Sequence, residues 1–318
     1  MRNWNNRTRE RVLATTFIMA LVVLLAATTT AQQQFGFTQF MWDQSTLNPA
    51  YAGTSESLSS RVFYRNQWAG MAGAPKTQSL SVHSPVFDGG FGAGLNVLHD
   101  RVGIYDDYVF RGNFSYKLRM QEGNLFFGLS GAYHLHQSYW STVSPGEEGD
   151  QALPYGDVKA GIPNFGFGMY YQHANAYVGL SIPVLLENGL TINQPEGGIA
   201  TLIDNVRHYY LTGGYVFEIN ENFKLRPQAM VRYVQNAPVQ ADVNVSALFN
   251  DVLWVGAGYR FGDSVDLMMQ YHISSQFKIG YAYDFTLSKL QNHAGSHEIF
   301  IGFDLWRKTD GYDHPRYF

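Results

Sequence analysis

The chain contains no cysteine. Disulfide staples and thiolate metal sites are therefore excluded, and so is the lipid-modified N-terminal Cys of a bacterial lipoprotein. It has no excess of positive charge either: 22 Lys and Arg stand against 26 Asp and Glu, a formal net charge of −4. Without a basic footprint, nucleic acid is not expected as a partner. After the first thirty or so residues no apolar run approaches the roughly 20 residues that a membrane-crossing helix requires. No helical domain, linker or low-complexity stretch is visible, and no HExxH motif suggests a metal. What is abundant is aromatic and small: 22 Phe, 21 Tyr and 32 Gly.

The N-terminus reads as a secretory signal. Arg2, Arg7, Arg9 and Arg11 supply a positive region, Val12 to Ala27 is nearly all apolar, and Thr29-Thr30-Ala31 resembles a small-residue cleavage site. The apolar run is too short for a spanning helix, so residues 1–31 are expected to be removed. With four arginines and Glu10 gone, 18 basic and 25 acidic residues remain, a net charge near −7.

Two-residue alternation dominates the rest. Phe277, Ile279, Tyr281, Tyr283, Phe285 and Leu287 interleave with Lys278, Gly280, Ala282, Asp284, Thr286 and Ser288. On a strand these two sets face opposite sides. Fourteen such runs are predicted: 58–68, 76–86, 90–99, 106–119, 124–139, 164–172, 176–183, 207–218, 223–235, 239–249, 252–261, 264–274, 276–288 and 296–306. An even number of alternating strands behind an export signal predicts an all-β, up-and-down antiparallel barrel of the outer-membrane type. Connector lengths support it. Long links, about Trp140–Pro163 and Val184–Val206, join odd to even strands, whereas even-to-odd links such as 121–123, 173–175 and 220–222 are short. Outer-membrane barrels sort long outside loops from short periplasmic turns in this way. The expected organisation is a signal peptide at 1–31, a periplasmic strap or an inward plug at 32–57, the barrel at 58–306 and a periplasmic tail at 307–318.

Chemistry-bearing patterns are few. Gly90, Gly92 and Gly94 superficially suggest a phosphate loop, but no helix follows them, so they read as the smooth face of a strand. His134, His136 and Ser138 share a strand face, with Ser130 further along it. A Ser–His pair on a barrel wall is the material of a lipid hydrolase, but that chemistry needs the base within hydrogen-bond reach of the nucleophile and a third group to orient the base. These residues read as the lumen-facing half of a strand, and no catalytic, cofactor or metal site is expected. Glu147, Glu148 and Asp150 read as a solvated loop.

Several local motifs resemble one family. They begin with Phe37-Thr38-Gln39-Phe40-Met41, then Asn48-Pro49-Ala50-Tyr51-Ala52-Gly53. Next come Arg65-Asn66-Gln67-Trp68-Ala69-Gly70 and Gly73-Ala74-Pro75. In the middle stand Asn164-Phe165-Gly166-Phe167-Gly168 and the run ending at Pro183. His208-Tyr209, Pro227, Tyr283-Asp284 and His297-Glu298 follow, before the ending Pro315-Arg316-Tyr317-Phe318. Together these are similar to the PorP/SprF outer-membrane proteins of the Bacteroidetes type IX secretion and gliding-motility apparatus. Trp42-Asp43-Gln44 departs from the pattern, standing where a shorter polar link is expected. The resemblance implies an integral outer-membrane, cell-surface barrel, not an enzyme. It also implies contact with periplasmic ring components and service to a particular exported cargo such as an adhesin. The alternation alone is equally compatible with an outer-membrane channel or a hydrophobic-solute transporter, with an open or a plugged lumen.

Overall fold

The computed structural model describes residues 36–55, 57–143, 156–193, 199–287 and 294–305. Its main sheet contains the strands β1 (Leu58–Asn66), β2 (Lys76–Val86), β3 (Phe91–Val102), β4 (Tyr105–Met120), β5 (Gly123–Ser138), β6 (Val158–Gln172) and β7 (Ala176–Ile182). It continues with β8 (His208–Tyr215, carried on by Phe217–Asn220), β9 (Phe223–Val234), β10 (Gln240–Phe249), β11 (Leu253–Arg260), β12 (Ser264–His272), β13 (Phe277–Thr286) and β14 (Ser296–Leu305). Each strand pairs antiparallel with its neighbours in sequence, and β14 returns to β1, with Leu58 opposite Leu305 and Asn66 opposite His297. Fourteen antiparallel strands thus form a closed barrel. Closure pairs the backbone all round, which is what allows a sheet to stand in hydrocarbon.

Alternation decides which side faces out. On β1, Leu58, Val62 and Tyr64 are exposed while Ser59, Arg61, Phe63 and Arg65 are buried. The rule repeats: Leu129, Leu95, Val178 and Leu267 point outward, and Ser130, Asn96, Asn244 and Asp266 point inward. Apolar outside and polar inside is the inversion expected of a barrel whose outer solvent is lipid. No described helix is long and apolar enough to cross a membrane; the strands do the crossing.

The links following even-numbered strands are tight turns, which makes one rim a turn rim. Phe87, Asp88, Asn250 and Asp251 adopt positive φ there. The opposite rim carries the longer loops, and here the structure corrects the sequence reading. Residues Val158–Pro163, expected in a loop, extend β6 along β5, with Val158 opposite Ser138. The link after β7 contains a hairpin, Gly189–Asn193 with Ile199–Asp204. The links β3–β4 and β11–β12, at residues 103–104 and 261–263, are as tight as any on the turn rim. The first strand ends at Asn66, so Trp68 sits in a turn at φ 48° and not at a strand end. β8 breaks at the buried Val216, whose N–H leaves the ladder and donates to Asn175 O at 2.7 Å. The predicted tail 307–318 and the acidic run Glu147, Glu148 and Asp150 lie outside the described residues.

Candidate functional site: the filled lumen

Residues 36–55 lie inside the barrel. They run from the loop rim, where Thr38 meets Glu298 and Asp284, down to the turn-rim half, where Ala52 meets Gly92 and Ser115. The segment is nearly all buried: Phe40, Met41, Trp42, Ala50 and Tyr51 are each at most 9 % exposed.

Local chemistry explains the plug's shape. It holds two single-turn 3-10 helices, Phe40–Trp42 and Pro49–Tyr51. Asn48 caps the second: its Oδ1 accepts the Ala50 N–H at 3.0 Å. Pro49 follows at the first helical position, where an N–H has no partner to lose. The other end of the Asn48 amide fastens the plug to the wall, donating to Met169 O at 3.0 Å and Leu180 O at 3.4 Å. Gly53 ends the motif at φ +76°, a conformation that costs glycine little.

The wall makes room for this backbone with glycine. A Cβ at Gly128 would overlap Ala50 and Pro49, one at Gly92 would overlap Ala52, and one at Gly168 would overlap the Asn48 side chain. The period-two glycines of β3 therefore do more than smooth a strand; Gly92 lies directly under the plug.

At the loop-rim end the plug is held by ionised groups. Glu298 accepts the backbone N–H groups of Thr38 at 2.8 Å and Gln39 at 2.9 Å. Arg65 donates to Glu298 at 3.1 Å, to Asp284 at 2.6 Å and to Thr38 Oγ1 at 2.7 Å, and Thr38 donates onward to Asp284 at 2.8 Å. All four residues are at most 3 % exposed. At such burial each charge must be paired, and here they are.

Midway, Arg226 is fully buried between two indoles, its guanidinium carbon 4.1 Å from the ring centres of Trp42 on the plug and Trp254 on β11. Cation–π attraction is strongest in such desolvated sandwiches. Tyr51 packs edge-on against Tyr170, which stacks on Tyr177. Asp43 accepts from Ser81 and from the Ser45 N–H, Gln44 accepts from Thr212 at 3.0 Å, and Arg111 donates to Thr46 O. Trp42-Asp43-Gln44, the departure noted in the sequence, is thus the centre of the plug's attachment.

The motif residues fall into several places. Asn48, Pro49, Tyr51, Gly53, Arg65, Gly168, Asp284 and Glu298 converge on the plug. Gln67, Trp68, Gly70, Gly73 and Pro75 form the β1–β2 loop, which bonds across to the neighbouring loop through Ala69 and Gly295, and to Gly103 through Gly73. His297 and Tyr283 support that rim: the Tyr281 hydroxyl lies 2.6 Å from His297 Nδ1, and Tyr283 donates to Ala294 O at 2.9 Å. Asn164 organises the loop after β7 by accepting the N–H groups of Leu185 and Leu186 at 3.0 and 3.1 Å, and Gly166 leaves room for Pro183. The His208 ring bonds Val206 O, Tyr209 packs on Tyr233 on the outer face, and Pro227 stands opposite Val245 in the ladder. Outside the strands, Ser141 donates its N–H to Asp157 at 3.0 Å, holding that exposed carboxyl below its ordinary range.

His134 and His136 do find an acidic partner: both rings contact Asp107 Oδ1, at 2.8 and 2.7 Å. The Ser138 hydroxyl is buried without a hydrogen-bond partner, so it is not bonded to His136. Among the described residues no group of three His, Asp or Glu side chains is placed to hold a metal ion.

Thr38 and Arg226 stood within motif stretches but were given no role by the sequence, and Trp254, Gly128 and Tyr170 were not singled out at all. One signal was available. Phe63, Phe126, Tyr170, Trp254 and Phe300 all stand at inward positions of otherwise polar faces, where large aromatics call for something apolar to pack on.

Comparison with known proteins gives the following. The family described as type IX secretion system membrane protein PorP/SprF matches residues 29–303. No curated protein matches the chain. Among solved structures, the Acinetobacter baumannii outer membrane protein Omp33 is similar at 11 % identity and a TM-score of 0.46, covering 80 % of this chain and 100 % of its own. The P. putida toluene transporter TodX is similar at 10 % identity and a TM-score of 0.48, covering 83 % and 94 %. The monoaromatic hydrocarbon channel CymD is similar at 11 % identity and 0.48, covering 82 % and 91 %.

Proposed function

The chain belongs to the PorP/SprF family of type IX secretion system membrane proteins, and from that premise we propose that it is a non-enzymatic scaffold of the outer membrane which supports export or surface anchoring of a particular cargo, such as an adhesin. The observation that carries the reading beyond the family is the filled lumen. A plug hydrogen-bonded to β1–β4, β6–β8, β13 and β14 suits a platform better than a conduit. On this reading the signal peptide is cleaved, and the turn rim faces the periplasm and the ring components of the secretion system. The loop rim, with residues 139–157 and 183–207, meets the cargo; loops placed by a rigid scaffold are where such contacts are usually made.

The hairpin after β7 offers a clean test. Asn188 and Asn205 flank it and already touch, through a backbone bond of 3.2 Å and a side-chain bond of 3.0 Å. Excising residues 189–204 and joining these two asparagines leaves the barrel wall intact. The expected result is normal insertion with reduced cargo on intact cells, measured by surface labelling. Equal cargo at the surface of the deletion strain refutes a cargo role for this loop.

A further inference from the structure

The outward wall of the barrel carries few charges. Among the described residues, Lys76, Arg101 and Lys159 are the only Lys or Arg on the outward face of a strand, and all three are exposed. They stand on one rung. Lys76 lies directly opposite Arg101, Arg101 opposite Asp106, Asp106 opposite Gln137 and Gln137 opposite Lys159. This row crosses β2 to β6 at the loop rim. Two residues deeper, the same face reads Gln78, His99, Tyr108 and Leu135. Two deeper again it reads Leu80, Val97, Phe110 and Tyr133. Charge gives way to amphipathic and then to apolar side chains, so the row sits at headgroup level, where the lipid-facing band ends.

The one carboxylate of the row is withdrawn from the surface. Asp106 is 8 % exposed, its Oδ1 lies 2.5 Å from His99 Nε2, and the His99 ring stacks on Tyr108. Among the described residues, none of the three cations is paired with a carboxylate. Like charges facing each other across a rung repel. Neighbouring strands are only about 4.8 Å apart, so a single anion can lie against Lys76 and Arg101 together.

We propose that Lys76 and Arg101 seat the phosphate of an anionic lipid in the leaflet at the loop rim, with Lys159 extending the positive row along the wall. The headgroup meets two cations while the acyl chains lie along Leu80, Val97 and Phe110. The guanidinium can hold two phosphate oxygens at once, which a lysine ammonium does as a point charge only. A zwitterionic headgroup brings a cation of its own to the row and gains less. This seat is independent of the cargo role, since it uses neither the plug nor the loops after β5 and β7.

The test is native mass spectrometry of the full, detergent-purified barrel, titrated with dioleoyl phosphatidylglycerol and, separately, with dioleoyl phosphatidylcholine. Each cation near a membrane surface is worth about five-fold in affinity for an anionic lipid. The first phosphatidylglycerol should therefore bind about twenty-fold more tightly than the first phosphatidylcholine. Lys76→Gln and Arg101→Gln should each cut that preference about five-fold, and the double variant should bring it to within about two-fold. Arg119→Gln, at the turn-rim end of β4 and off the row, removes an equal charge and should leave the preference unchanged. Excess inorganic phosphate should not displace the lipid, because the acyl chains hold it too. Strand content by circular dichroism shows that each variant folds. Equal binding of the two lipids, an undiminished preference in the folded double variant, an equal loss in Arg119→Gln, or displacement by inorganic phosphate would each overturn the proposal.

Discussion

Removal of the Glu298 carboxylate is the sharpest test of how the plug is held. Glu298→Ala orphans the Thr38 and Gln39 N–H groups and takes one of two carboxylates from Arg65, which keeps Asp284 at 2.6 Å. A buried donor left without a partner costs about 1–3 kcal/mol, and breaking a buried ion pair from one side costs about 3–5 kcal/mol. Because Arg65 retains Asp284, the lower end, about 3 kcal/mol, is expected. At 1.4 kcal/mol per decade this raises the population with the plug's first turn detached by about a hundred-fold. The chain has no native thiol, so Met41→Cys, at a site only 1 % exposed, makes a single reporter. Its alkylation rate follows the detached population when reclosing is fast. Adding Arg65→Met to Glu298→Ala removes the second charge as well. The double variant should label more slowly than the sum of the two single effects implies, by about 1–3 kcal/mol of coupling. Labelling within three-fold of the parent in Glu298→Ala, or strict additivity in the double variant, would refute a plug held by this network.

Two other perturbations follow from the same geometry. Gly128→Val should leave strand pairing intact, since valine favours strands, but it drives Pro49 and Ala50 from the wall; planar-bilayer conductance above the parent's is expected, and unchanged conductance counts against close packing there. Arg226→Lys keeps the charge but loses the flat guanidinium that lies against two indoles; the urea midpoint should fall by the equivalent of about 1–3 kcal/mol, and an unmoved midpoint shows that the sandwich contributes nothing.

The barrel was legible because its signal is repeated. Each strand states the same period, and fourteen statements outvote any local irregularity. Boundaries slipped where the period was masked: Gly161, Ile162 and Pro163 read as loop, yet they pair with β5 as well as their neighbours do. The attachment of the plug was harder to read because it joins positions such as 38 and 298 or 42 and 226, and nothing local announces such partners. Arg65, Asp284 and Glu298 were singled out only through family resemblance; their meeting required the third dimension. Asn48-Pro49 stood out only within a family motif, and the two carbonyls that receive the Asn48 amide belong to β6 and β7.

Arg65 and Glu298 stand directly opposite each other on the first and last strands. The line along which the two ends of the sheet are sewn together is therefore the line to which Thr38 and Gln39 are riveted. The earliest described part of the chain clasps both lips of the ring from within, so the contacts that close the cylinder and those that stop its bore share Arg65 and Glu298. An emptied cylinder would be weakest along that seam.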